Sequence, residues 1–187
     1  LSWDAAWEIT TKTISYTNHT IMPEALETWT IEMFKALLPR MYMITYEINE
    51  RFCKSLWEKF PGNWDKIKDM AIITDGMVHM ARLAVVGSHS VNGVAQIHTD
   101  ILKEHIMKDF NEFYPDRFNN KTNGITHRRW LLKSNPQLAA LITECIGDKW
   151  IKNPDQLKNF ADFATDKKVQ EQLRKIKLAN KKILAKY

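Results

Sequence analysis

The chain has 187 residues, of which 44% are hydrophobic, 26% are charged and two are cysteines, and its formal net charge is +5. This is enough apolar material for one ordinary core or two small ones, and the cysteine count excludes a disulfide scaffold. No apolar run approaches the length of a membrane span and no charged-then-apolar leader opens the chain, so we expect a cytoplasmic protein.

The spacing of apolar residues predicts a mainly α-helical fold with a few short strands. The longest predicted helix places Ile48, Phe52 and Leu56 one turn apart and is stopped by Pro61. The predicted elements up to residue 106 are, in chain order, a helix over 4–13, a strand over 14–17, and helices over 23–29, 31–38, 41–60, 65–72, 76–86 and 94–106.

Three further helices are predicted in the last third of the chain. The first begins at Pro136 and ends before Gly147, the second opens at Pro154, and the third begins near Asp166. The third has a narrow apolar stripe, which would suit docking to a partner helix, and many basic residues, which would suit a nucleic-acid binder. A solvated outer face explains the basic residues more simply, because no aromatic residues alternate with the lysines. Its apolar stripe comprises Val169, Leu173, Ile176, Ile183 and Tyr187.

The segment 118–130, FNNKTNGITHRRW, combines residue types that rarely serve one structural purpose. Carboxamides such as that of Asn123 both donate and accept hydrogen bonds, as sugar hydroxyls require. The arginines Arg128 and Arg129 suit carboxylate or phosphate groups, and Trp130 offers a flat apolar face. A segment that lines a ligand is one interpretation, and an Asn-Gly turn followed by a capped helix is the other.

Two earlier segments have features of a binding site. His19 lies between a predicted strand end and the helix start at Pro23, where sites in α/β proteins are common. In 87–102, GSHSVNGVAQIHTDIL, small residues allow close backbone approach, and Asn92-Gly93 turns the chain toward a helix. The remaining histidines have no metal-binding spacing, so no metal site is predicted; they include His79, His89, His98 and His105.

Five segments together resemble the α-glucan phosphorylases, which include the glycogen, starch and maltodextrin enzymes. The resemblance implies that the chain is an internal piece of a two-lobed α/β glycosyltransferase of the phosphorylase type. Residues 1–117 would end the N-terminal lobe, and 118–187 would form the inter-lobe segment and begin the C-terminal, cofactor-binding lobe. The matching segments are SYTNHTIMPEALETW at 15–29, LPRMYMITYEINERF at 38–52, GSHSVNGVAQIHTDILK at 87–103, FNNKTNGITHRRWL at 118–131 and SNPQLAALITECIGDKW at 134–150.

The resemblance also implies roles for individual residues. His19 and Asn123 correspond to residues that bind the 6-hydroxyl of the glucosyl unit. Asn92, Gly93 and Val94 correspond to the wall of the same pocket. Trp130 corresponds to an aromatic residue beside pyridoxal phosphate. No residue of this chain corresponds to a catalytic acid or base, and neither Arg128 nor Arg129 receives a role. One departure is visible, because His127 stands where many members of the family have proline.

The activity that the resemblance implies is phosphorolysis of an α-1,4-glucan, in which inorganic phosphate takes the terminal glucosyl unit as glucose 1-phosphate. Pyridoxal phosphate is the implied cofactor, and the lysine that anchors it would lie beyond Tyr187. We therefore expect the isolated chain to be inactive. A helical interaction module without catalysis and a basic nucleic-acid-binding module are the alternatives, although we expect neither a nucleic acid nor a membrane as partner.

Self-association is the last expectation from the sequence. If residues 14–20 and 87–94 border a cleft whose other wall is missing, apolar side chains that line it become exposed. Exposed apolar patches favour association, so we expect a homo-oligomer. The side chains concerned are Ile21, Val85, Val86 and Trp130.

Overall fold

The computed structural model describes residues 1–186, which form two compact units divided between Asn123 and Gly124. Each unit has its own apolar core. The described residues are mainly α-helical with six short strands, which confirms the fold class predicted from the sequence. The division falls later than residue 117, because a strand at 118–120 pairs within the first unit. The assignment of the two parts to different lobes stays a prediction.

The first unit contains seven α-helices, six strands and two shorter helical segments. The 3₁₀ segment is Pro23–Ala25 and the π-helical segment is Leu102–Ile106. The α-helices are α1 Trp3–Thr13, α2 Ile31–Leu37, α3 Pro39–Lys59, α4 Trp64–Met70, α5 Met80–Val86, α6 Gln96–Ile101 and α7 Lys108–Phe113. The strands are β1 Ser15–Thr17, β2 Thr28–Thr30, β3 Ile73–Thr74, β4 Met77–His79, β5 Ser90–Gly93 and β6 Phe118–Asn120.

Helix α3 is the centre of the first core. Pro39 occupies its first turn, where the missing N–H is no loss, and Ile48, Phe52 and Leu56 are buried along one face. The ring of Phe52 stacks on that of Phe110 with centroids 6.1 Å apart. The predicted helix over 41–60 is therefore confirmed, with its start two residues earlier than the spacing of apolar residues indicates.

The second sheet, with strand order β2-β4-β3, corrects two predicted helices. Residues 28–30 and 77–79 are antiparallel strands, although the predicted helices over 23–29 and 76–86 cover 28–29 and 77–79. Asp75 and Gly76 join β3 to β4 with φ of 49° and 76°. An Asp-Gly pair with two positive φ angles is the turn that matches the twist of a two-residue hairpin.

A parallel sheet with strand order β1-β5-β6 corrects two other interpretations. Residues 90–93 and 118–120 are strands, not the loop and polar turn that their small and polar residues suggest. The expectation that Val85 and Val86 are exposed is also wrong. These two side chains are 0% and 4% exposed, because α5 turns them into the main core.

The half-buried imidazole of His79, at the end of β4, makes the stability of the first unit depend on pH. Its Nε2 is buried and has no hydrogen-bond partner among residues 1–186, and burial, reinforced by the charge of Arg82, lowers the pKa of His79. The folded unit thus resists a proton that the unfolded chain accepts below about pH 6.5. We expect the free energy of unfolding in urea to fall between pH 7.5 and 5.5, and to fall less in His79→Gln. An equal fall in both proteins would contradict this.

The second unit packs around Trp150, which is 0% exposed and donates its indole N–H to Thr143 Oγ1 at 3.1 Å. Its α-helices are α8 Pro136–Ile146 and α9 Lys167–Leu184. Helix α9 buries Val169, while Ile183 is 56% exposed, so its predicted apolar stripe is packed mainly in its first half. Tyr187, the last position of that stripe, lies outside the described residues. The shorter helical segments are Arg128–Lys133 (π), Lys149–Ile151 and Pro154–Phe163 (both 3₁₀).

Among residues 1–186, no helix combines the length and the apolar character that a bilayer crossing requires.

Candidate functional site

The three parallel strands β1, β5 and β6 end at the same edge of their sheet. Thr17 pairs with Asn92, and Asn92 pairs with Asn119, so the strands are in register. The carboxyl ends of neighbouring parallel strands in α/β sheets commonly form ligand sites. The segments that follow these strand ends carry His19, Val94 and Asn123. The structure therefore brings these three predicted site residues, and Asn92, to one edge.

Main-chain hydrogen bonds continue the ladder beyond the strands and fix the three loops. The N–H of Asn18 donates to the carbonyl of Asn92 at 2.9 Å, and the N–H of Lys121 donates to the carbonyl of Gly93 at 3.1 Å. The N–H of Asn123 donates to the carbonyl of Val94 at 3.0 Å. The first and third loops are thus both bonded to the central one, which lies between them.

The side-chain amide of Asn92 makes both of its hydrogen bonds within the chain. Its Oδ1 accepts a hydrogen bond from Thr17 Oγ1 at 2.8 Å, and its Nδ2 donates to the carbonyl of Gly93 at 2.8 Å. The first bond joins β1 to β5, and the second stiffens the end of β5. Asn92 thus holds the ends of β1 and β5 together through contacts within the chain.

The loop after β1 separates a buried amide from an exposed imidazole. Asn18 is 1% exposed, whereas the next residue, His19, is exposed. Asn18 Oδ1 accepts the N–H of Thr20 at 2.9 Å, and its Nδ2 donates to the hydroxyl of Tyr16 at 3.1 Å. This local turn holds the backbone of residue 19, so the imidazole is presented from a fixed position.

Three asparagines lie in or just after β6. Two of them make side-chain hydrogen bonds to neighbouring elements, and the third is exposed. Asn119 Nδ2 donates to Ser90 Oγ at 2.8 Å, and Asn120 Oδ1 accepts from Thr99 Oγ1 at 3.3 Å. Both amides therefore hold β6 against its neighbours. Asn123 is exposed, and its backbone is held by Val94. Of these three residues, Asn123 is the exposed one, whereas Asn119 and Asn120 are half-buried.

Gly93 is needed because helix α6 comes very close to the end of β5. A Cβ at this position would lie 2.5 Å from Thr99 Oγ1 and 3.0 Å from the Thr99 nitrogen and Cα. We expect Gly93→Ala to lower the free energy of unfolding of the first unit by about 1–3 kcal/mol, the usual effect of overpacking. Urea titration of the chain measures it.

The matched control for Gly93→Ala is Gly124→Ala, because a Cβ at Gly124 meets nothing within 4 Å and its φ is not in the left-handed region. We expect that substitution to leave the unfolding midpoint within about 0.5 kcal/mol of the parent, as is usual at open surface positions. Equal effects of the two substitutions would contradict the steric argument.

Arg117 anchors the start of β6. Its guanidinium donates to the carbonyls of Val85 and Val86 at 3.0 and 3.1 Å, both in the last turn of α5, where few carbonyls have partners within the helix. It also lies 3.4 Å from the ring centroid of Tyr114. Burial lowers the pKa of Arg117 and raises the pKa of Tyr114. Arg117, the residue that precedes β6, is therefore tied to the C-terminal end of α5.

Trp130 belongs to the second unit, on the π-helical segment Arg128–Lys133, and its indole is 71% exposed. Contacts of His127 and Arg128 with one backbone carbonyl hold the start of that segment. His127 is 7% exposed and its Nε2 lies 3.0 Å from the carbonyl of Ile151, to which Arg128 also donates at 3.3 Å. Proline at position 127 would have no side-chain nitrogen for this bond.

Two residues of the edge are missed by the sequence analysis. Asn18 adjoins His19 in a quoted segment but receives no role, and His98 is treated only as a histidine without metal-binding spacing. Both act through partners about eighty positions away, which spacing along the sequence cannot reveal. No group of three or more His, Cys, Asp or Glu side chains within residues 1–186 is arranged to hold a metal ion.

The whole chain, residues 1–187, matches the family described as carbohydrate phosphorylase. The chain belongs to the carbohydrate phosphorylase family, as its resemblance to the α-glucan phosphorylases predicts. It is 60% identical over 185 residues to glycogen phosphorylase of Bacillus subtilis (strain 168), covering 99% of this chain and 23% of that protein.

Two eukaryotic relatives give the same result. Glycogen phosphorylase 2 of Dictyostelium discoideum is 50% identical over all of this chain and 19% of its own length. The muscle form of glycogen phosphorylase from Oryctolagus cuniculus is 48% identical over all of this chain and 22% of its own length. The chain therefore spans about a fifth of the length of the relatives that it matches.

Proposed function

We propose that the full-length protein containing this chain transfers the terminal α-1,4-linked glucosyl unit of a glucan to inorganic phosphate, giving glucose 1-phosphate. The observation that carries the proposal is the sheet edge. His19 and Asn123 follow the two outer strands of one parallel sheet, on either side of Asn92 and Val94. Membership of the phosphorylase family supplies the reaction that such a sugar-binding edge would serve.

The spacing of the edge suits a single hydroxyl shared by two side chains. Neighbouring strands are about 4.8 Å apart, so β1 and β6 are separated by about two such spacings. An imidazole from one side and a carboxamide from the other reach a common group between them. In this proposal both bind the 6-hydroxyl of the glucosyl unit and fix its direction. A sugar without that hydroxyl would leave both partners unpaired, which is how polar sites discriminate strongly.

The central loop supplies the wall of the pocket. Gly93 is buried against Thr99, and the carbonyl of Val94 is already occupied by Asn123. The main chain there is satisfied internally and offers a firm surface to the ring of the sugar. Residues 92–94 thus exclude alternative positions of the glucosyl unit without contributing chemistry to it.

Pyridoxal phosphate is the cofactor implied for the full-length protein. The exposed indole of Trp130 has a flat face that suits packing against the pyridoxal ring. Arg129, on the same π-helical segment, is also exposed. When bound, the cofactor supplies the phosphate group that relays a proton during glucosyl transfer. None of the residues 1–186 is assigned as acid, base or cofactor anchor, so the isolated chain is inactive in this proposal.

The proposal also covers location and assembly. The full-length protein acts in the cytoplasm on a glucan and phosphate, and the isolated chain forms a homo-oligomer. The apolar surface for association now rests on Ile21 and Trp130, which are 42% and 71% exposed, because Val85 and Val86 are buried. Sedimentation of the isolated chain measures the assembly, and a compact monomer at high concentration would contradict it.

The activity is tested by incubating the full-length protein with a maltodextrin and inorganic phosphate and measuring the glucose 1-phosphate released. We expect release that requires both substrates and is absent with the isolated chain. A full-length protein that is folded and loaded with pyridoxal phosphate but releases none would contradict the proposed reaction.

A further inference from the structure

We propose that His98 is a positioning residue that holds the two sugar-binding loops in a common geometry. The inference rests on the proposed function, since it concerns the same edge. His98 lies on helix α6 and is half-buried. Its ring nitrogens bond to Asn18 on one side and to Val94 on the other, at 3.1 Å each. A single imidazole therefore spans the first and second loops.

The partners of His98 decide its tautomer. The N–H of Val94 is a backbone donor, so the Nδ1 that faces it must be an unprotonated acceptor. The hydrogen is then on Nε2, which donates to Asn18 Oδ1. Asn18 Oδ1 also accepts the backbone N–H of Thr20 at 2.9 Å, and because a backbone N–H can only donate, this bond fixes the orientation of the amide with Oδ1 as the acceptor. The whole arrangement is consistent with a neutral imidazole bearing Nε2–H.

Through these bonds His98 reaches both proposed ligands of the 6-hydroxyl. Asn18 directly precedes His19, so the first bond sets the backbone that carries the imidazole of His19. Val94 uses its N–H for His98 and its carbonyl for the N–H of Asn123. A single residue, Val94, thus connects the His98 contact to the loop of Asn123. The two hydrogen bonds of His98 therefore lead to the two loops that carry the proposed ligands.

Removal of the ring would leave these groups poorly held. Asn18 is 1% exposed and would retain only the N–H of Thr20 at its Oδ1. The half-buried N–H of Val94 would lose its acceptor. A site held loosely by its supporting residues loses rate because the reacting groups are misplaced. A purely structural histidine that caps α6 would instead change stability alone.

The test compares His98→Leu and His98→Gln in the full-length protein, with glucose 1-phosphate and its 6-deoxy analogue as donors. Leucine removes both hydrogen bonds, whereas the amide of glutamine keeps one acceptor and one donor. We expect His98→Leu to lower kcat/KM for glucose 1-phosphate about 10- to 100-fold, to lower it much less for the 6-deoxy analogue, and to be partly rescued in His98→Gln. His105→Leu, an exposed histidine on the neighbouring π-helical segment, is the control and should match the parent.

The outcomes separate the inference from the function on which it rests. If His98→Leu lowers kcat/KM equally for both donors, or if glutamine gives no rescue, His98 is only a structural residue and the inference fails. If His19→Ala and Asn123→Ala leave the ratio of the two donors unchanged, the assignment of the 6-hydroxyl pocket fails instead. Nitrogen-15 NMR of the His98 ring is an independent readout that needs no activity. Hydrogen on Nδ1 rather than on Nε2 would overturn the geometry even if His98→Leu did not fold.

Discussion

Replacing Asn123 by alanine in the full-length protein is expected to lower kcat/KM for glucosyl transfer about 10- to 100-fold, and His19→Ala is expected to act similarly. In the proposed site, each substitution removes one of the two hydrogen bonds to the 6-hydroxyl of the glucosyl unit. The double variant should lose less than the product of the two single effects, because the side chains share one hydroxyl.

The 6-deoxy analogue of glucose 1-phosphate makes that expectation specific. It should be a poor donor for the parent, while the variants at His19 and Asn123 should lose little further rate with it. The matched control is Asn159→Ala, which removes an exposed carboxamide from the second unit and should leave both donors unaffected. Fully multiplicative losses, or equal losses with both donors, would argue against a shared 6-hydroxyl contact.

Trp150→Ala is expected to have the largest effect on stability. Trp150 is the largest fully buried side chain among residues 1–186, and its removal takes away both the centre of the second core and the partner of Thr143. A tryptophan-to-alanine change in a core usually costs about 3–5 kcal/mol. For a unit this small, that is most of the stability to be expected.

Hydrogen exchange measures the effect of Trp150→Ala locally. Amides in 124–186 should lose protection, while those in 1–123, which have a separate core, should keep theirs. Trp64→Ala is the control, because that indole is 68% exposed and should matter much less. Loss of protection throughout the chain would contradict the independence of the two cores.

The helices were predictable because their information is local. In helix α3 the spacing of Ile48, Phe52 and Leu56 marks the buried face. Pro39 is its first residue, and Gly62 follows shortly after its end. The strands of the parallel sheet were not predictable in the same way. With three or four residues each, β1, β5 and β6 are too short for an alternating pattern, and their pairing joins segments far apart along the chain. The Asp75-Gly76 pair was the one local sign of a hairpin, and the sequence analysis does not use it.

The candidate site was predictable only in part. The quoted segments contain His19, Asn92, Val94 and Asn123, and the resemblance gives them roles. Spacing along the sequence says nothing about whether their loops meet, because that depends on the order of the strands in the sheet. Hydrogen bonds such as that between His98 and Asn18, eighty residues apart, depend on folded geometry alone. The supporting residues of a site are therefore the part that most needs a structure.

Main-chain hydrogen bonds at the sheet edge hold the backbone in place independently of the side chains at 19 and 123. Asn18, Lys121 and Asn123 are all held by backbone groups that every amino acid except proline possesses. Exchanging the side chains at 19 and 123 should therefore leave the course of the backbone intact. The edge can serve as a fixed template on which new donors and acceptors are tried, so that a preference for a differently substituted sugar is within reach of a few replacements.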